Sequence, residues 1–218
     1  MPNHASPELA GTKLALILAA GELFAEHGVD GTSVRTIAEK AGANIAAVNY
    51  HFGSKENLYT ETLRYVALEG SGTRPSAFVE DDERLSTPER IAATLTQAVK
   101  AQFDAYYNPE MPPWYARLMI RALLDPSPSF EQMLRQIMVP DHLAFKRIFQ
   151  KARPGASDME AQLWAFSVKA QIVFYVFCRA PVLMLLGRAE YDKFFLEAAA
   201  EHTVRSTIAA LGLPQVEA

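Results

Sequence analysis

Thirteen residues, AVNYHFGSKENLY over 47–59, hold the chain's densest set of groups able to do chemistry. Asn49, Tyr50 and His51 follow one another, a Gly-Ser break comes next, and Lys55 and Glu56 open a further helical pattern. An imidazole beside a phenol suits proton transfer or metal ligation, while amide, hydroxyl and ammonium donors suit phosphate. The rest of the chain narrows these readings. The five histidines are scattered, no close His-Glu ligation spacing occurs, and Cys178, the only cysteine, has no activating partner near it in sequence. No metal or cofactor is therefore expected. A His51-centred enzyme would have to gather distant residues and lacks an identifiable nucleophile, so enzymatic activity is not expected.

The elements that must position these groups are read next. The chain has 218 residues, half of them hydrophobic, and a formal charge of -4. It is long enough for a sizeable core and too apolar for a disordered chain. Its charge does not advertise a polyanionic partner, so any nucleic-acid binding must come from a segregated face. A single cysteine rules out an internal disulfide and a cysteine-rich zinc site. No signal-peptide pattern is present, and no uncharged apolar run reaches the roughly 18 to 20 residues that span a bilayer, so the expected setting is the reducing cytoplasm, with no membrane partner.

Helical periodicity dominates. After a polar tail over 1–11, TKLALILAAGELFAEHG places Leu14, Ile17, Leu18, Gly21, Phe24 and Ala25 on one side, with Gly28 as a stop. Thr32 or Ser33 can cap the next helix, which carries Val34, Ile37, Ala38 and Ala41 at helical spacing and ends at Gly42. Another short helix runs from the cap Asn44 to about Tyr50. Gly53-Ser54 closes it, and KENLYTETLRYVALE follows as a longer helix. The middle pair has the size and turn placement of a helix-turn-helix.

GVDGTSVRTIAEKAGANIAAVNYHFGSKENLYTETL resembles the amino-terminal DNA-binding domain of the TetR family of bacterial transcriptional regulators. The resemblance covers about residues 12–63, and its ordered combination of Phe24, Gly28, Thr32, Val34, Ile37-Ala38, Ala41-Gly42, Tyr50-His51-Phe52, Lys55, Leu58 and Tyr59 is more specific than any part. Asn49, where many relatives carry an aromatic, is similar to the branch containing CecR-type regulators. A weaker likeness continues to the carboxy terminus through LGRAEYDKFFLEAAAEHTVRSTIAALG.

The resemblance implies an all-α protein: a DNA-binding domain over 12–70, a flexible connector over 71–86 and a larger helical ligand-binding and dimerisation domain over 87–218. It also implies roles. The second short helix would enter the major groove. Tyr50 and His51 would contact or support contact with the sugar-phosphate backbone, and Lys55 would meet a phosphate at the start of its helix. Asn44 caps its helix or touches phosphate. Ile45 and Ala47 stand where family members often face bases, although periodicity with Val48 and Phe52 would equally bury Ile45. Asn49 completes that set. Thr32 or Ser33, Arg35 and Lys13 are further backbone candidates, Arg35 with reach to a base edge. From Gly11 to Ser54 the cations Lys13, Arg35 and Lys40 face the acids Glu22, Glu26, Asp30 and Glu39, so the domain is not basic.

GSGTRPSAFVEDDERLSTP reads as an exposed acidic connector. Beyond it, Ile91, Leu95, Ala98, Val99, Gln102 and Phe103 form one helical face. NPEMPP breaks the chain, and helices follow over 114–124 and 130–150. A final pair, about 158–180 and 189–211, is separated by Pro181 and Gly187; the first of the two is apolar on more than one side, as a homodimer contact requires. By resemblance, an effector cavity lies among these helices. Phe103, Tyr106, Tyr107, Trp114, Phe145 and Trp164 are candidate walls, and Arg117, Arg121, His142 and Arg179 candidate polar groups. The expected function is a homodimeric repressor that leaves a double-stranded operator when a small molecule binds. A helical protein-interaction adaptor without DNA binding is the alternative.

Overall fold

The computed structural model describes residues 7–69, 74–107 and 111–215 and contains no strand among them. The chain packs as two units, Met1–Glu69 with Glu110–Gln136, and Gly70–Pro109 with Ile137–Ala218.

The first unit holds α1 (Pro7–His27), α2 (Val34–Lys40), α3 (Ile45–Phe52) and α4 (Lys55–Glu69). It also takes in α6 (Trp114–Leu124) and α7 (Pro128–Met133). Its core is formed by Leu16, Ile17, Ala20 and Phe24 of α1 with Ile37, Val48, Phe52, Leu58, Tyr59, Leu63, Leu118 and Phe130. Phe24 and Tyr59 meet edge to face with centroids 5.1 Å apart. The buried side of α1 is wider than expected: Ile17, Gly21, Phe24 and Ala25 are buried as their spacing predicts, Leu16, Ala19 and Ala20 join them, and Leu14 is exposed. A run as uniformly apolar as LALILAAG offers no polar side to fix its phase. The tail expected over 1–11 lies outside the described residues for 1–6, whereas Pro7–Gly11 already belong to α1.

Gly21 sits inside α1 because Trp114 of α6 lies against its α-carbon; a Cβ there would overlap the indole. The α3–α4 joint is tied down differently. Gly53 turns the chain with a positive φ of 77°. Lys55, the first residue of α4, donates from Nζ to Val29 O at 2.9 Å and Thr32 O at 3.2 Å. The ammonium thus clamps the start of α4 to the loop joining α1 and α2.

The second unit contains α5 (Pro88–Tyr107), α8 (Val139–Ala152), α9 (Asp158–Phe177), α10 (Arg179–Leu186) and α11 (Lys193–Leu211). All six residues of the α5 face read from spacing are buried. They pack with Phe145 and Ile148 of α8, Ala165 and Ile172 of α9, and Val204 and Ile208 of α11. A five-residue π turn, Leu134–Met138, precedes α8.

Two expectations are corrected. The stretch 74–86 does not run as an exposed connector: it forms 3₁₀ turns at Pro75–Val79 and Asp82–Leu85 that bury Pro75, Val79 and Leu85. Three apolar residues in an acidic setting suffice to seat it on the core. Residues 71–73 lie outside the described set, as do 108–110 of the expected break. Pro181 does not merely separate two helices. It occupies the first turn of α10, where a missing N–H breaks no helical hydrogen bond.

Gly21→Ala is expected to lower unfolding free energy in urea, because overpacking costs about 1–3 kcal/mol and exceeds the helix-propensity gain of up to about 1 kcal/mol. Gly11→Ala, in the same helix with nothing within 4 Å of its added carbon, should be neutral or stabilising. Equal effects at the two sites would remove the packing account. Lys55→Met should destabilise the protein by about 1–3 kcal/mol in the same urea titration without DNA, since two carbonyls lose a charged donor.

Candidate nucleic-acid interface

The side chain of Ser33 accepts the Thr36 N–H at 3.1 Å and caps α2, while that of Asn44 accepts the Ala46 N–H at 3.0 Å and caps α3. Each cap satisfies an N–H that an isolated short helix would leave orphaned. Between the caps, Ala41–Ala43 make the turn of the pair, with Ala43 N donating to Ala38 O at 2.9 Å.

Val48 and Phe52 anchor α3 in the core. At about 100° per residue, the opposite arc then carries Ala46 and Tyr50 with Asn49 at its flank, while Ile45, three residues before Val48, stands in the first turn towards the anchored side. These four are exposed, Ile45 to 45% and Tyr50 to 75%. The ambiguity over Ile45 is thereby resolved towards solvent. Ala47 is half-buried at the edge of this face. Ala46, which the spacing had not marked as a contact residue, lies in the middle of the arc; its only signal is the angular position between Asn49 and Tyr50. Ser33, Arg35 and Thr36 of α2 are exposed as well.

Other candidates have different placements. Thr32 is 3% exposed, and its hydroxyl donates to Gly28 O at 2.7 Å. It is a buried turn lock, since a buried hydroxyl spent on the Gly28 carbonyl cannot meet a phosphate. Lys55 spends two of its three N–H groups on the carbonyls of the α1–α2 loop. The ring of His51 lies between Tyr50 and Phe52, with centroids at 5.1 and 6.0 Å, and its Nε2 is buried without a hydrogen-bond partner among the described residues. The ring contacts, rather than that nitrogen, seat the imidazole on α3. Lys13 stands 5.8 Å above the Phe52 ring and 3.9 Å from Glu61.

Charge is sparse on this face. Arg35 Nε donates to Glu39 at 2.8 Å and Lys40 pairs with Glu22 at 2.7 Å, both in exposed positions where an ion pair contributes little and exchanges readily for another anion. The arrangement offers neutral amide, hydroxyl and methyl groups at its centre with a cation on its margin. That set suits base edges and thymine methyls better than nonspecific attraction.

The candidate effector residues divide between the units. Trp114, Arg117 and Arg121 belong to the first, with Trp114 on Gly21 and Arg121 beside Gly28. In the second, Phe103, Tyr106 and Tyr107 join Tyr175, Tyr191 and Phe195, which sequence reading missed, in a continuous group of ring contacts. Tyr107 donates to Ile172 O at 2.6 Å, and burial raises its pKa. Arg179 lies 5.4 Å over Tyr191, Trp164 packs on Phe149, and Phe145 is fully buried. His142 meets Gln162 at 2.7 Å, and burial lowers its pKa.

On the outside of the second unit, α9 exposes Met159, Leu163, Phe166, Phe174 and Phe177, opposite the face that buries Ala161, Ala165, Val168 and Ile172. A shallow groove of about 340 Å³ runs beside α11, lined by Ala170, Gln171, Phe174, Tyr175, His202 and Thr203. Among the described residues no single helix is long and apolar enough to cross a membrane; α9 and α10 pass that test only together and are bent by 74°.

Comparison with known proteins agrees with this geometry. Residues 16–62 match the bacterial regulatory proteins of the tetR family, and residues 91–211 match the C-terminal domain of the HTH-type transcriptional dual regulator CecR. The CecR regulator of Shigella flexneri is 29% identical over 189 residues, covering 83% of this chain and 82% of that protein. The transcriptional repressor AcnR of Corynebacterium diphtheriae is 29% identical over 157 residues, 71% of this chain and 73% of its own. A transcriptional regulator from Rhodococcus sp. Rha1 shares the fold with a TM-score of 0.63 at 22% identity, covering 94% of this chain and 99% of that one. The TetR family regulator PfmR from Thermus thermophilus does so at 0.57 and 17% identity, with coverage of 92% and 99%. A capped two-turn helix with a bare polar arc, set in a chain matched by the tetR pattern at one end and the CecR pattern over most of the remainder, places this protein in the TetR family of bacterial transcriptional regulators, with a CecR-type carboxy-terminal domain.

Proposed function

We propose that the protein is a homodimeric, cytoplasmic repressor that reads a double-stranded operator through α3 and leaves it when a small molecule binds the carboxy-terminal unit. The outward arc of α3 carries this reading. Ala46, Asn49 and Tyr50 are exposed on a helix whose opposite side is locked in the core, and Ile45 is exposed in its first turn. Such an arc fits the major groove. In this assignment Asn49 pairs with a base edge, Ile45 and Ala46 meet thymine methyls, and Tyr50, Ser33, Asn44 and Arg35 hold phosphates. Lys13 adds a marginal backbone contact, while His51 and Lys55 position the helix. No catalytic role is assigned to any of them.

One α3 covers too few base pairs for specific regulation. Two copies related by a twofold axis place their α3 helices in successive major grooves about 34–36 Å apart. The apolar stripe of α9 and its groove along α11 supply a self-complementary surface for that pairing. An effector that favours one spacing of the paired amino-terminal units lowers DNA affinity by population shift, to the extent that it binds the two states unequally.

Selection from randomised duplexes should enrich a sequence with twofold symmetry. Asn49→Ala should relax preference at one position of each half-site at a cost of about 1–3 kcal/mol, whereas Arg35→Ala should weaken all sequences and reduce the salt slope by about one unit per protomer. Absence of both enrichment and salt-dependent binding would leave the adaptor reading in its place. In sedimentation, the parent should run as a dimer and Phe174→Glu as a folded monomer with weakened operator binding; a Phe174→Glu dimer would move the interface elsewhere.

A further inference from the structure

Charged groups from three segments of the carboxy-terminal unit, the stretch before the first 3₁₀ turn, α8 and α9, lie near one another. Arg74, just before the first 3₁₀ turn, donates to Asp141 Oδ2 of α8 at 2.6 Å and to the carbonyl of Ile137. The second carboxylate oxygen accepts the Ser76 N–H at 3.2 Å. This pair is satisfied. Lys169 of α9 is not, for its ammonium has three N–H groups and its one hydrogen bond among the described residues is a long 3.3 Å contact to Met138 O. Burial pulls its pKa down to about 8, Asp141 works against that and Arg74 with it. At neutral pH two cations therefore share one carboxylate, and a positive charge is left over in a desolvated place. Such a charge is costly unless something neutralises it.

The neutral groups around it are also underserved. Tyr106 of α5 senses both Asp141 and Arg74, burial raises its pKa to about 12, and its hydroxyl makes no hydrogen bond among the described residues. One turn earlier on the same face, Gln102 is 8% exposed and its Oε1 is buried without a partner. Buried polar atoms are nearly always paired, so the orphaned Gln102 oxygen, one turn from Tyr106 on α5, points to an absent partner. His142 adds no compensating charge, being held by Gln162 beside Phe166.

We propose that Lys169, Tyr106 and Gln102 form the polar end of the effector site and that the effector presents a carboxylate to them. The Lys169 ammonium and Tyr106 hydroxyl donate to its oxygens. The Gln102 carboxamide, turned about its last bond, donates a third hydrogen bond. Arg74, held by Asp141, stays in place and keeps the site electropositive. One surplus charge matches a monoanion, whereas a phosphate dianion would reverse the imbalance. The inference rests on the reading that the carboxy-terminal unit takes an effector.

Two matched pairs test it: octanoate against octanamide, and phenylacetate against phenylacetamide, each titrated calorimetrically into the full chain at neutral pH and fixed salt. In at least one pair the acid should bind about tenfold or more tightly than the amide, as a charge-assisted hydrogen bond to a buried ammonium requires. Lys169→Met should bring acid and amide to within about twofold, and Tyr106→Phe should weaken the acid about three- to tenfold while leaving it preferred. Near-UV circular dichroism establishes that each variant is folded; if Lys169→Met is not, the selective loss in Tyr106→Phe decides. Equal affinities for acid and amide, no binding of either acid up to about 10 mM, or a preference that survives in Lys169→Met would overturn the proposal. Operator affinity measured alongside separates the two readings. Ligand-insensitive DNA binding with a clear acid preference counts against effector control alone, and ligand-sensitive DNA binding without that preference counts against the carboxylate alone.

Discussion

A helix of eight residues has no stability of its own in water, so α3 exists only as far as its neighbours hold it. Every restraint on it acts from one side or from its ends. Val48 and Phe52 hold it from below, the Asn44 side chain closes its start, and Gly53 releases the chain at its finish. Lys55 then fastens the following helix to the loop between α1 and α2. What remains is an outer arc of Ala46, Asn49 and Tyr50, with Ile45 exposed in the first turn, and the absence of a structural duty leaves them free for the DNA contact proposed above.

The carboxy-terminal unit solves the reverse problem. Its inner faces are well packed, yet α9 carries large apolar side chains on its outer face as well. Continuous exposure of Phe166, Phe174 and Phe177 is what a protein surface avoids unless a second surface covers it. The interior holds the other unfinished feature, a surplus cation with unpaired polar neighbours. One incompleteness faces outward, where the proposed second copy would sit, and the other inward, at the proposed effector site.

Much of this was legible along the chain. The glycine and cap signals around α2, α3 and α4 are local events, set by backbone conformation and by side chains reaching two or three residues away. The α5 face was equally readable, because a one-sided helix declares its buried side through spacing. Lys55 shows where such reading stops. As a lone cation at a helix start it suggests a phosphate, and only the approach of Val29 and Thr32, 26 and 23 residues away, turns it into a clamp. Thr32 follows the same logic, buried by a turn whose closure the sequence does not announce.

By itself, then, the sequence determined the all-α class, the helix-turn-helix with its caps, the family and the helix that would supply Asn49 and Tyr50. Tertiary structure alone decided that Ile45 is exposed, that Trp114 belongs with Gly21 rather than with Phe103, that 74–86 packs as 3₁₀ turns, and that Arg74 meets Asp141 while Lys169 reaches Met138 O. The reason is range. Caps, turns and amphipathic spacing are written within one or two helical turns of chain, whereas a contact across 67 residues, such as Arg74 with Asp141, depends on how packed helices bring distant positions together.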